Sequence, residues 1–190
     1  MLETEYKCII DEETYNKIEN AYAWNWVKEQ TNNYYFDEAL ELSKRRIMVR
    51  VREKDGAYKV QIKLHKNSDS PLHICEETEF DIDSAPQVID AVRAKRFTGI
   101  DTGRLLKSGI LRTLRHSLMW NDTTEICLDK NTYLDRTDYE IEVEYTDGMP
   151  DGLVEELKAL GVEFTESAVG KYTRFMRRLR ELMEELKGRS

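Results

Sequence analysis

The chain has 190 residues, with 29 Lys+Arg against 37 Asp+Glu for a formal net charge of −8, and 35% of its residues are charged. The length suits one sizeable domain, and the acidic balance argues against a nucleic-acid duplex as partner, because such surfaces must offset phosphate with Lys and Arg. No run approaches the ~18 apolar residues of a membrane span, and the opening Met1 to Lys7 lacks the basic-then-apolar order of a secretory signal. We read a cytoplasmic protein with no membrane segment and a single domain over residues 1–190. Cys8, Cys75 and Cys127 are odd in number and widely spaced, which suits free buried thiols better than a disulfide framework or a metal knuckle. His65, His73 and His116 show no metal-ligand spacing and read as solvent or loop histidines.

In chain order, a strand is expected over about residues 2–10. A helix over 11–29 follows, with Asp11 as N-cap and Tyr15, Ile18, Ala21 and Tyr22 on one face. Strands at 45–54 and 57–65 flank Lys54-Asp55-Gly56, where Asp-Gly is a strong hairpin signal. A strand at 74–83 leads to a helix through about 96, capped by Ser84 with Pro86 in its first turn. Three further strands, near 110–119, 124–130 and 138–146, precede a short helix at about 150–160 that ends at Gly161. The last two strands are linked by the polar stretch Lys130 to Thr137. From about residue 168 a final helix carries Tyr172, Phe175, Met176, Leu179, Leu182, Met183 and Leu186 at three- and four-residue spacing. That stripe reads as core packing, with a partner surface such as a homodimer contact as the alternative. The pattern is α+β, mostly antiparallel.

Each strand segregates charge on one face, following the period of two that extended chain imposes. Glu3, Glu5 and Lys7 oppose Thr4, Tyr6 and Cys8; Arg50 and Arg52 oppose Val49 and Val51; Lys59, Gln61 and Lys63 oppose Val60 and Ile62. Glu77, Glu79 and Asp81 oppose Thr78, Phe80 and Ile82, and Glu140, Glu142 and Glu144 oppose Ile141 and Val143. A sheet wet on one side would produce alternation, yet here the polar face is almost wholly ionised, with acids and bases sorted by strand. If the sheet closes with that face inside, the lumen is a charged tunnel. Carboxylates at i and i+2 lie ~7 Å apart and repel by about 2.4 kcal/mol at an effective dielectric of 20, so either their pKa values rise or a cation sits among them. Clustered carboxylates suit Mg²⁺ or Mn²⁺, whereas Arg and Lys suit phosphate. Together they describe a site for a metal-bound polyphosphate.

These residues also resemble a family. Glu3-Thr4-Glu5-Tyr6-Lys7 is similar to the ExExK signature of CYTH-domain proteins, the triphosphate tunnel metalloenzyme superfamily of class IV adenylate cyclases, thiamine triphosphatases and inorganic triphosphatases. Supporting matches run in family order: Tyr34 to Asp37, Val49 to Arg52, Tyr58 to Lys63, Thr113 to Arg115, Cys127 to Asp129, Tyr139 to Glu144, and Gly170 to Phe175. The nearest similarity is to the branch found in Gram-positive bacteria. The resemblance implies an eight-stranded antiparallel β-barrel with flanking helices. It implies metal-side carboxylates at Glu3, Glu5, Glu77, Glu79, Glu140, Glu142 and Glu144, with the choice between Glu77 and Glu79 open. It implies phosphate-binding bases at Lys7, Arg50, Arg52, Lys63, Arg115 and Lys171, with Lys59, Asp129 and Arg174 ranked behind these.

Hydrolysis of a triphosphate with Mg²⁺ or Mn²⁺ is the leading expectation, inorganic tripolyphosphate being favoured because no base-binding motif is identifiable. Glu5, Glu142, Lys63 and Arg115 are expected to act on the reacting phosphoryl group. The alternatives are an adenylate cyclase, a thiamine triphosphatase, a non-catalytic polyphosphate-binding module, and a structural domain with a wet charged face. Trp24, Trp26 and Trp120 are either stacking residues for an organic group or ordinary packing residues.

Overall fold

The computed structural model describes residues 2–66, 72–163 and 169–188, with side chains for all but residues 2, 3, 72 and 73. Nine strands and five helices alternate along the described residues: β1 (Leu2–Ile10), α1 (Glu12–Ala21), β2 (Trp26–Asp37), α2 (Glu41–Lys44), β3 (Ile47–Lys54), β4 (Ala57–His65), β5 (Leu72–Ile82), β6 (Val88–Ile89), α3 (Ala91–Thr98), β7 (Leu105–Asn121), β8 (Thr124–Tyr133), β9 (Arg136–Tyr145), α4 (Asp151–Ala159) and α5 (Lys171–Gly188). The strand order is β2-β3-β4-β5-β1-β9-β8-β7, and β2 pairs with β7 to close an eight-stranded barrel, with β6 appended to β7. All pairings are antiparallel. Closure removes free strand edges from the barrel and gives the charged faces an interior.

The Asp55-Gly56 turn behaves as its residues require: Lys54 pairs with Ala57, and both turn residues have positive φ, 53° and 78°. Such a two-residue turn matches the right-handed strand twist. Asp11 caps α1, its carboxylate accepting from the Thr14 amide at 2.8 Å.

Three expectations from the sequence are corrected. The first helix ends at Ala21, and residues from Trp26 enter β2, which periodicity misses because Gln30, Thr31, Asn32 and Asn33 are polar on both faces. Pairing with β3 and β7 on its two sides satisfies that polar backbone and selects strand over helix. Second, Ser84 caps nothing: Val88 and Ile89 pair with Leu106 and Leu105, and the cap of α3 is Asp90, which accepts from the Arg93 amide at 3.0 Å. Third, the polar stretch from Lys130 to Thr137 is mostly strand, because β8 and β9 turn tightly through Leu134 and Asp135. Within that stretch Asn131 and Asp138 face each other as a hydrogen-bonded pair, at 3.1 Å.

The apolar faces point outward, as closure requires. Cys8, Ile126, Leu128, Ile141 and Val143 pack beneath Tyr15 and Ile18 of α1 and Leu153 and Leu157 of α4. On another side Tyr35, Val49, Val51 and Val60 pack with Ala94 of α3 and Leu42 of α2. The third cluster is instead on the inner face at one end of the barrel, Met48 sharing the side of Arg50 and Leu111 that of Arg115: there Tyr34, Met48, Leu111 and Tyr133 gather around Phe175 of α5. Thus α5 docks by the first half of its stripe, Tyr172 to Leu179, and leaves Met183 and Leu186 exposed. The three cysteines are free and buried. His116 departs from its expectation as a solvent histidine: it is buried on β7 beneath α1, 3.4 Å from the Tyr15 hydroxyl and 3.2 Å from a Glu19 carboxylate oxygen.

Candidate active site

A cavity of about 580 Å³ occupies the barrel, and Glu5, Lys7, Arg50, Arg52, Lys63, Arg115, Glu142, Glu144 and Lys171 all line it. Register explains the convergence. Lys7 faces Glu142 across β1 and β9, with Glu5 facing Glu144; Lys63 faces Glu77 across β4 and β5; Arg115 faces Asp129 across β7 and β8. Arg50 and Arg52 sit two apart on β3, on one face of the strand.

The carboxylates are neutralised from several sides. Lys7 Nζ lies 2.9 Å from Glu5 and 2.8 Å from Glu142. The Arg115 guanidinium donates to both Asp129 oxygens at 2.8 and 2.6 Å and also contacts Glu142. Lys171 Nζ lies 2.8 Å from both Asp129 and Glu142 and contacts Glu140 as well. Burial works against charge on Glu142, but Lys7 and Arg115 outweigh it and hold its carboxyl far below the usual range. Burial likewise opposes the Lys7 charge, which Glu142 and Glu5 restore, so its pKa stands above the ordinary lysine value.

The two arginines of β3 differ. Arg50 Nε donates to the Gln61 side-chain oxygen at 2.7 Å and Arg52 Nε to the Asn32 oxygen at 3.2 Å. Both partners are neutral, and among the described residues neither arginine forms an ion pair. Burial, with the Arg50 and Arg115 charges adding, pushes the Arg52 pKa down to about 9. This wall of the tunnel carries positive charge without a matching anion.

Two groups of three carboxylates have ligand oxygens all within 4.8 Å of one another: Glu5, Glu142 and Glu144, and Asp129, Glu140 and Glu142. All-oxygen donor sets of this kind fit a hard divalent ion such as Mg²⁺ or Mn²⁺.

Not every residue expected from the sequence joins this cluster. Glu3 belongs to β1, but its side chain lies outside the described residues. Glu77 is held 2.8 Å from Lys63. Glu79 lies at the rim, paired with Lys59 at 2.8 Å, and borders a separate groove beside α3. Arg174 enters the barrel end from α5, donating to both Asp138 oxygens at 2.8 and 3.0 Å and to Glu140 at 2.7 Å. Sequence reasoning missed Gln30, Tyr34 and Ser117 as lining residues, and Asn32 as the anchor of Arg52. Recognising β2 would have found three of these four. Of the tryptophans, Trp24 and Trp120 pack around Tyr22 in the outer core, whereas Trp26 is half exposed and lines a side cavity of about 250 Å³ with Lys28, Lys54 and Arg115.

A closed antiparallel barrel whose lumen sets carboxylates against Arg and Lys is the architecture of a triphosphate tunnel. The chain belongs to the CYTH domain family, whose model matches residues 1–175. Similar solved structures include HpAC1 from Hippeastrum, a candidate adenylyl cyclase described with a dominant triphosphatase activity, at 23% identity over 92% of this chain and 95% of that one, with TM-score 0.73. A candidate adenylate cyclase from Bacillus halodurans is 22% identical over 90% and 95% of the two chains, with TM-score 0.66. The Mimivirus capping-enzyme triphosphatase is 13% identical over 84% and 88%, with TM-score 0.51. At these identities the likeness is one of fold. No curated protein matches the chain. No helix among the described residues is long and apolar enough to cross a membrane.

Proposed function

We propose that the protein hydrolyses a triphosphate in a divalent-metal-dependent reaction inside the tunnel, with inorganic tripolyphosphate as the favoured substrate. The observation that carries this reading is the Arg50–Arg52 pair, Arg50 buried and Arg52 half-buried, each bonded to a neutral side chain and lining the same cavity as Glu5, Glu142 and Glu144. A polyanion is what such a wall lacks. Arg50, Arg52 and Lys63 bind the phosphate chain, with Lys7 and Lys171 added by the family resemblance, and Arg115 offsets charge that develops on the transferring group. Glu5, Glu142 and Glu144 hold the ion, which would supply Lewis-acid polarisation of the phosphoryl group and a water of lowered pKa.

A second reading has its own observation. Trp26 beside Lys28 and Lys54 forms an aromatic and cationic shelf next to Arg115, and that favours a triphosphate carrying an organic ring, as in ATP or thiamine triphosphate.

A phosphate-release panel with tripolyphosphate, ATP and thiamine triphosphate, each with Mg²⁺, Mn²⁺ or excess chelator, tests both readings. The expected result is metal-dependent release, fastest with tripolyphosphate and absent in Glu144→Gln. Cyclic AMP and pyrophosphate from ATP would replace hydrolysis with cyclisation. Binding of tripolyphosphate without turnover under all conditions would leave a non-catalytic module.

A further inference from the structure

Lys7 stands where the acidic and basic arcs of the barrel meet. Arg50, Arg52 and Lys63 come from β3 and β4, whereas Glu142, Glu144 and Asp129 come from β9 and β8; β1 is joined to β9 on one side and, through β5, to β4 on the other. On β1, Lys7 shares a strand face with Glu5 and pairs across the ladder with Glu142. Its Nζ donates to Glu5 at 2.9 Å and lies 2.8 Å from Glu142, with the side chain buried in the cavity wall. Those two carboxylates belong to the group Glu5, Glu142 and Glu144, and Glu142 belongs also to the group Asp129, Glu140 and Glu142. An ion held by either group therefore meets the Lys7 ammonium on at least one of its ligands. The two cations repel each other and draw on the same carboxylate lone pairs. A lysine is a compact charge on a flexible four-carbon stem and can change partners without backbone movement, whereas Arg115 is fixed to Asp129 through two parallel bonds.

Resting on the metal-dependent reading above, we infer that the Lys7 ammonium competes with the divalent ion for Glu5 and Glu142 and, once displaced, turns to the phosphate chain, so that ion and triphosphate bind with positive coupling. Lys7 thus strengthens phosphate binding only when the ion is in place. Linkage makes the effect reciprocal: a triphosphate that draws Lys7 off the carboxylates tightens the ion by the same factor. The tunnel in this way favours the metal-loaded triphosphate over either component alone.

Calorimetric titrations of the full chain test this, with wild type and Lys7→Met each given Mn²⁺ alone, an imido-bridged triphosphate analogue in excess chelator, and the same analogue in saturating Mn²⁺. Complexation of the ion by the analogue in solution is common to both proteins and drops out of the comparison. Lys7→Met is expected to bind Mn²⁺ alone about tenfold or more tighter than the wild type, to match it within a few-fold for the analogue in chelator, and to fall about tenfold or more behind it for the analogue with Mn²⁺. Lys63→Met removes a charge from the same cavity, but one placed 2.8 Å from Glu77. It is expected to raise Mn²⁺ affinity less than Lys7→Met does, which separates direct competition from the general field. Lys7→Gln serves if Lys7→Met does not fold. Mn²⁺ binding no tighter in a folded Lys7 variant than in the wild type, a loss of analogue affinity as large in chelator as with Mn²⁺, or a gain in Lys63→Met equal to that in Lys7→Met would overturn the inference while leaving the metal-dependent reading intact. No Mn²⁺ bound by the wild type, with or without the analogue, would remove both.

Discussion

Two residues apart on β3, Arg50 and Arg52 project to the same side about 7 Å from each other, a spacing at which unit charges repel by about 2.4 kcal/mol at an effective dielectric of 20. The free protein bears that repulsion because Gln61 and Asn32 satisfy the guanidinium geometry without offsetting its charge. Arg52→Met should therefore raise the melting temperature of the ligand-free protein while weakening tripolyphosphate binding at least tenfold; a variant that melts lower and binds normally would show that Arg52 is structural. Glu142 stands at the opposite extreme, with Lys7, Arg115 and Lys171 all upon it. Removing its charge leaves three cations short of a partner, so Glu142→Gln should cost about 3 to 5 kcal/mol of stability in addition to activity. Denaturant unfolding checks this, and a loss under about 1 kcal/mol would mean the cations redistribute freely. For that reason Glu144, about a quarter exposed, is the cleaner probe of metal binding.

At the scale of elements, α5 decides which end of the tunnel is closed, and two local features hold it there. Gly109 lies opposite Tyr34 where the β2–β7 register shifts, and a Cβ there would approach to 2.6 Å of the Phe175 ring. Gly109→Ala should overpack the third core cluster and cost about 1 to 3 kcal/mol, loosening α5 before the barrel. Amide exchange resolves the order, and equal protection of α5 in both proteins would contradict it. On the outer side Arg178 clamps Asp135 in the β8–β9 turn at 2.8 and 2.5 Å, and that bond, with burial opposing only weakly, holds the Asp135 carboxyl down to about 2. A depressed carboxylate pKa means a stabilising contribution present above the unfolded value near 4 and lost as pH falls toward 2. The melting temperature of Asp135→Asn should thus lie below that of the wild type at neutral pH and converge with it near pH 2; a constant offset across that window would assign the loss to something other than the ion pair. The C-terminal stripe could be read from spacing, and so could the β3–β4 hairpin, because Asp-Gly and a clean alternation are local signals. The turn at Leu134 and Asp135 could not, since Leu134 sits at φ 51°, a conformation its type rarely adopts, and the flanking Asn131 and Asp138 are polar for reasons that lie across the strand.

Across the whole molecule, apolar and ionised surfaces have exchanged their usual places: the cores under α1 and α4, and under α2 and α3, lie outside the sheet, and the charges lie within it. Alternation and sorting by strand carried this far in the sequence, because period-two order shows which side chains share a face. It could not show that β2 closes against β7, since β2 has polar residues on both faces. It also could not bring Lys171, forty-two residues after Asp129, onto Asp129 and Glu140, because that contact exists only once α5 docks on the barrel. The net charge of −8 similarly describes the exterior poorly as a guide to ligands, since the tunnel wall at β3 is cationic and in want of an anion. Calorimetric titration with Mg²⁺ and a triphosphate analogue bridged by imido groups, which resists hydrolysis, addresses that point most directly. The account expects one analogue bound per chain, with binding that weakens as salt rises and is lost in the Arg50→Ala/Arg52→Ala double variant; undiminished binding by a folded double variant, or none by the wild type, would contradict it.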